Sequence, residues 1–213
     1  MKEKKNRLRY NKHNKKEMGG LTMNEQAAVI NGNDIPPMDP HVLYNTLDMI
    51  NWMALEREEY TISRMLTSLS AILRYTIHDR KEQITVREET EYLRKFIYLQ
   101  QQRFGDTFSC KIKEEKGSDN CKMPRCLIQP ILEQLLDTGF SREEYAEIEI
   151  CFSLNQQESL RIKIQDNGIR QINPKTLEEI QLRIVSQYGS NGKMEIGTGE
   201  WERIIWIQIP FEI

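Results

Sequence analysis

The period of the apolar residues changes once along this chain, near residue 105, and that change limits the possible folds more than any other feature. Before it, apolar side chains return every three or four positions, the spacing of one helix face. After it, they alternate with polar ones, the spacing of half-buried strands. Asp39-Pro40 reads as a helix start, with Asp39 able to cap and Pro40 supplying the pre-set φ of the first helical position. Leu43, Leu47, Ile50 and Ala54 form the first stripe, which the charged run Glu56–Glu59 ends or turns. Ile62, Met65, Leu66, Leu69, Leu73 and Ile77 form a second. A lone hairpin cannot cover both stripes, whereas two copies packed as a four-helix bundle can, so a homodimer is expected. Thr85-Val86-Arg87-Glu88 has capping-box spacing and predicts a third helix, with Leu93, Phe96, Ile97 and Gln100 on one face, ending near Gly105.

The second half mixes strands with helices. Phe108, Cys110 and Ile112 alternate with polar residues, as do Ile148, Ile150 and Phe152, and Leu160, Ile162 and Ile164. Pro124 to Leu136 reads as a helix, Pro174 to Tyr188 as another capped by Asn173, Asn191-Gly192 as a turn, and Arg203 to Ile213 as a last strand. Local hairpins with separate helices predict an α+β sandwich, helices on one face of a mixed sheet, rather than a doubly wound parallel sheet.

Residues 1–34 are polar, without period, and end at the stiff Ile35-Pro36-Pro37, which reads as a disordered tail. Eight basic side chains between Lys2 and Lys16 face only Glu3 and Glu17, so this tail is also the segment that could rest on anionic lipid. Over the whole chain 30 Lys and Arg stand against 32 Asp and Glu, a net charge of −2 that gives no reason to expect nucleic acid. No apolar run reaches the roughly 18 residues of a membrane helix, and a cytoplasmic protein is expected, its only route to a membrane being the basic tail or a partner. The four cysteines lack CxxC spacing and read as reduced thiols, and three histidines leave little for a metal site.

Three constellations could carry chemistry. His41 falls in the first turn of a helix, where the positive end of the helix dipole favours an uncharged ring and a later phosphoryl group. An uncharged imidazole is the nucleophilic form. Asn45, four residues on, shares its face and can select the tautomer. Glu133 and Gln134 interrupt an otherwise apolar helix and read as facing either a ligand or water. Asp166-Asn167-Gly168 ends an alternating strand. By itself it is a turn, but a carboxylate there can accept a hydrogen bond from an adenine amino group while Gly168 allows close backbone approach.

The run Asp39 to Leu47 resembles the Asn-Pro-His-Phe-Leu-Tyr-Asn-Thr-Leu phosphoacceptor motif of LytS-type sensor histidine kinases. Leu73-Arg74-Tyr75, the Glu88 to Gln102 helix, Arg103-Phe104-Gly105-Asp106, Pro124, Gln129-Pro130 and Asp166-Asn167-Gly168 each resemble the next element of that family in order, over roughly residues 36–213. The resemblance implies a dimerisation and histidine phosphotransfer region over 35–104. A Bergerat-type ATP-binding α/β sandwich, shared with gyrase-type and Hsp90-type ATPases, follows over 105–213. ATP would donate its γ-phosphoryl group to His41, and a response regulator would then receive it. Glu133 keeps the family's glutamate, Gln134 stands where asparagine holds Mg²⁺, Asp166 is the adenine contact, Gly168 the first glycine of its box, and Gly197 and Gly199 the final Gly-x-Gly.

The departures from that pattern fall on the nucleotide. Gln134, Asp137 and Thr138 replace asparagine, lysine and histidine. The extra methylene of Gln134 moves the amide oxygen by about 1 Å, a displacement that can cost ~100-fold in rate, and Mg²⁺ tolerates poor octahedral geometry badly. Arg170 stands where a further glycine is expected, no glycine-rich lid lies between Gln171 and Tyr188, and Glu200 stands where threonine is usual. The resemblance therefore leaves three outcomes open: a kinase with weakened ATP and Mg²⁺ binding, a degenerate member that dimerises and handles phosphoryl groups made elsewhere, or an interaction module without nucleotide. Pairing with a longer kinase as a heterodimer is also open, because such stripes pair by packing and flanking charge. A sensory region ahead of the hairpin, usual in the family, is not expected within this sequence.

Overall fold

A computed structural model describes residues 39–78, 81–137, 145–155, 159–167, 172–199 and 202–212. The expected tail, Gly168 and Arg170 lie outside the described residues. Helix α1 spans Pro40–Glu56 and buries Tyr44, Leu47 and Ala54. It closes with Glu58 at φ +59°, the Glu58 N–H donating to the Leu55 carbonyl at 3.0 Å and the Glu59 N–H to the Ala54 carbonyl at 2.9 Å. These nested bonds satisfy carbonyls that the helix end leaves without partners. Helix α2, Tyr60–Leu73, then runs back beside α1.

The second stripe behaves differently from its sequence reading. The buried positions of α2 are Ser63, Ser68 and Ser70, and Ser63 Oγ donates to Asn51 Oδ1 at 2.6 Å. Ile62 and Leu69 are exposed, as are Val42, Met49, Ile50 and Met53 of α1. Within one chain the hairpin packs through small and hydroxyl-bearing side chains and leaves much of its apolar surface outside. The helix also stops at Leu73 rather than running to Ile77, because Arg74–His78 form a wider π turn.

Strand β1, Gln83–Thr85, leads into helix α3, Val86–Phe104. The capping box is formed: the Glu88 N–H donates to Thr85 Oγ1 at 3.2 Å and the Thr85 N–H to Glu88 Oε2 at 2.8 Å. That backbone N–H holds the Glu88 carboxyl below its ordinary range. Gly105 at φ +65° ends the helix, a conformation open to glycine without a Cβ clash. Strand β2 is Phe108–Glu114, and β3, Lys122–Pro124, pairs antiparallel with β1. This pairing corrects the expected helix start at Pro124. Helix α4 begins only at Gln129 and runs to Asp137, after a turn in which Cys126 takes φ +50°.

Strands β4, Ala146–Leu154, and β5, Ser159–Asp166, precede helix α5, Pro174–Tyr188, whose cap is Asn173 as expected. Strand β6, Lys193–Thr198, has no counterpart in the sequence reading, and β7, Arg203–Pro210, closes the sheet. The order is β2-β4-β5-β7-β6, with β2 and β4 parallel and the other pairs antiparallel. One face carries Ile148, Ile150, Phe152, Leu160, Ile162, Ile164, Ile205, Ile207 and Ile209, which share one core with helix residues such as Leu93, Leu132 and Ile184. Each such side chain contributes about 1.5–3 kcal/mol on burial. The opposite face carries charges, among them Lys113 paired with Glu149. This is the expected two-layer α+β sandwich.

Candidate functional site

At about 100° per residue, the inward positions of α1 fix where its other side chains go. With Tyr44, Leu47 and Ala54 buried, His41, Asn45, Asp48 and Trp52 fall on one outward strip. His41 and Asn45 are both exposed, and Trp52 is 65% exposed with its indole N–H donating to Glu56 Oε1 at 2.9 Å. A ring so placed can be approached by a phosphoryl donor and by an acceptor protein without opening a core.

The residues expected at the nucleotide are engaged inside the chain. Gln134 Oε1 accepts from the Asn173 N–H at 3.4 Å, which joins α4 to the start of α5. Glu133 is exposed and accepts from Gln129 Nε2 at 2.7 Å, while Gln129 Oε1 accepts from the Tyr92 hydroxyl. Asp166 is 4% exposed, and its two carboxylate oxygens accept from Arg203 Nε and Nη2, each at 2.9 Å. The ladder places Asp166 directly opposite Arg203 across β5 and β7. Gly197 lies within β6 opposite Ile204, and the Gly199 N–H donates to the Glu202 carbonyl at 2.7 Å, so both shape the β6–β7 hairpin. A hollow of about 310 Å³ on the outward, charged face of the sheet, behind the Asp166 side chain, is lined by Glu147, Glu149, Glu202 and Lys111.

The structure thus joins Asp166 to Arg203 and Gln134 to Asn173. The Gln134 amide oxygen already accepts a backbone N–H, which leaves it a single lone pair for Mg²⁺. Among the described residues no group of three or more His, Cys, Asp or Glu could hold a metal, and no helix is long and apolar enough to cross a membrane.

Two features escaped the sequence reading. Arg203 is one charged residue at the start of a strand, and only the β5–β7 register shows what it meets. The other is a buried carboxyl, Glu89 of α3, which is fully enclosed. Its Oε2 accepts from the Tyr75 hydroxyl at 2.6 Å and the Cys126 N–H at 3.1 Å, so it ties the π turn, α3 and the 126 turn together. Tyr75 stacks on Tyr92 with ring centroids 4.3 Å apart, and the Arg125 guanidinium lies 4.5 Å from the Tyr75 ring centre. Burial raises the Glu89 carboxyl above its ordinary value, against the lowering effect of the Tyr75 bond.

Comparison with known proteins bears on the strip that holds His41. Residues 37–108 match the model of a family described as histidine kinase. The chain is 33% identical over 99 residues to the sensor histidine kinase YesM of Bacillus subtilis, covering 46% of this chain and 17% of that protein. It is 30% identical over 147 residues to the sensor histidine kinase YpdA of Escherichia coli, covering 68% of this chain and 25% of that protein. It therefore spans a quarter or less of the length of these two relatives. Among solved structures, the histidine kinase domain of an Erythrobacter litoralis blue-light activated histidine kinase aligns at 14% identity with a TM-score of 0.47, covering 80% of this chain and 95% of that one. The segment that holds His41, residues 37–108, is thus a histidine kinase family segment, and the similarity to these two sensor histidine kinases agrees with it.

Proposed function

We propose that this chain is the core of a two-component sensor histidine kinase of the LytS type, in which His41 takes the γ-phosphoryl group of ATP and passes it to a response regulator. The observation that carries this reading is the exposed His41, with Asn45 on the same strip, inside the segment that matches the family. In this reading 35–104 is the dimerisation and phosphotransfer region and 105–213 the nucleotide sandwich. Two copies pair through the apolar surface of α1 and α2 as a four-helix bundle, and ATP and Mg²⁺ are held weakly. Any tie to a membrane runs through the basic tail or a partner.

A second reading, a degenerate member that receives phosphoryl groups from an intact kinase in a mixed dimer, is favoured by the bonds that occupy Gln134 and Glu133 within the chain. Labelling with γ-³²P-ATP and Mg²⁺ separates the two. The first predicts acid-labile label on the chain alone and none on His41→Gln. Label that appears only when an intact relative is added supports the second. Label that persists on His41→Gln rejects both.

A further inference from the structure

We infer that Arg203 withholds Asp166 from the amino group of a purine, so that the sandwich does not select adenine. The inference rests on the proposed kinase reading, in which Asp166 is the base contact, and it names the residue that governs that contact in this chain. A carboxylate reads an adenine amino group by presenting an in-plane oxygen lone pair to one N–H. Here both oxygens face a guanidinium fork at 2.9 Å, which takes one in-plane lone pair of each. Asp166 is 4% exposed at its side chain and Arg203 11%, so little of either is open to an incoming base edge.

The pairing is built into the sheet. Asp166 and Arg203 are register partners in a ladder that continues through Gln165↔Ile204 and Ile164↔Ile205. On the opposite face of the sheet Gln165 Nε2 donates to Glu202 Oε2 at 2.7 Å, a second bond between β5 and the residue that leads into β7. Moving Arg203 aside leaves a carboxylate uncompensated in a buried place, which opposes any opening of the pair by a neutral base. A side chain without the guanidinium at 203 would leave the carboxylate at the strand end open to a donor from outside the chain.

The test is nucleotide selectivity, measured by calorimetry with MgATP and MgGTP up to millimolar concentration. The proteins are the wild-type chain, Arg203→Thr, Arg203→Met, and Arg203→Thr combined with Asp166→Asn, each checked for folding by its thermal melt. The wild type is expected to bind the two nucleotides within about twofold of each other, or neither. Both single variants are expected to bind MgATP roughly tenfold or more tighter than the wild type and than MgGTP, the size of a hydrogen bond to a charged group. Asp166→Asn should remove that gain. Tenfold preference of the wild type for MgATP overturns the inference, as do folded variants that bind MgATP no better than the wild type. Should both variants fail to fold, the wild-type comparison decides alone: parity or the absence of binding supports the inference and selection of ATP overturns it. Failure of the kinase reading shows elsewhere, as label retained on His41→Gln.

Discussion

Glu58 and Cys126 are the non-glycine residues held at positive φ among the described residues, at +59° and +50°. At Glu58 the reason is local: the bonds from Glu58 and Glu59 back to Leu55 and Ala54 require one left-handed residue between α1 and α2. A side chain there costs about 1–2 kcal/mol relative to glycine, part of which glycine returns through the greater freedom of the unfolded chain. Glu58→Gly is therefore expected to raise stability by about 0.5–1 kcal/mol, read as a shift of the urea midpoint at unchanged slope; an unchanged or lower midpoint contradicts the strain. At this scale the exposed position of His41 on α1 was legible in the sequence because its neighbours along the chain set the helix phase. Arg203 was not, because its partner lies 37 residues away and meets it only through the sheet.

Among the elements, Glu89 is the joint at which α3, the π turn and the 126 turn meet. Its carboxyl is raised above the ordinary value of 4.5, mainly by burial. The folded chain therefore holds this proton to higher pH than the unfolded chain does, and the resulting stability is full below 4.5 and is lost as pH rises through the folded value. Glu89→Gln keeps an acceptor for the Tyr75 hydroxyl without the charge. Its stability relative to wild type should improve as pH increases from about 4 to about 8 in guanidinium melts, and a difference that stays flat or falls would remove the argument. Elements set by adjacent residues were readable beforehand: the Thr85–Glu88 cap, the Asn173 cap and the alternating β2, β4 and β5. Strand β6 escaped notice because it is an edge with a glycine in it, and Met194 is its one side chain packed against the core among the described residues. The start of α4 was misplaced because Met123 and Pro124 are claimed by β1, a partner some forty residues back.

For the molecule as a whole, the unburied side chains of the hairpin matter most. Val42, Met49, Ile50, Met53, Ile62 and Leu69 are each between 36% and 58% exposed in a single chain, more apolar surface than a soluble monomer usually shows on one element pair. Self-association through this surface predicts that Ile62→Glu converts a dimer to a monomer in sedimentation, with little change in the melting of the isolated chain because Ile62 is already 45% exposed. A wild-type chain that sediments as a monomer at micromolar concentration would refute the pairing. The π turn at Arg74–His78 adds a mechanical consequence. It carries about one residue more per turn than the helix before it, so the phase of the α2 stripe slips there and Tyr75 faces Glu89 instead of prolonging the stripe. A twist of α2 about its long axis would then reach α3 as torque on the Tyr75–Glu89 bond and the Tyr75–Tyr92 stack, with the wide turn acting as its axle.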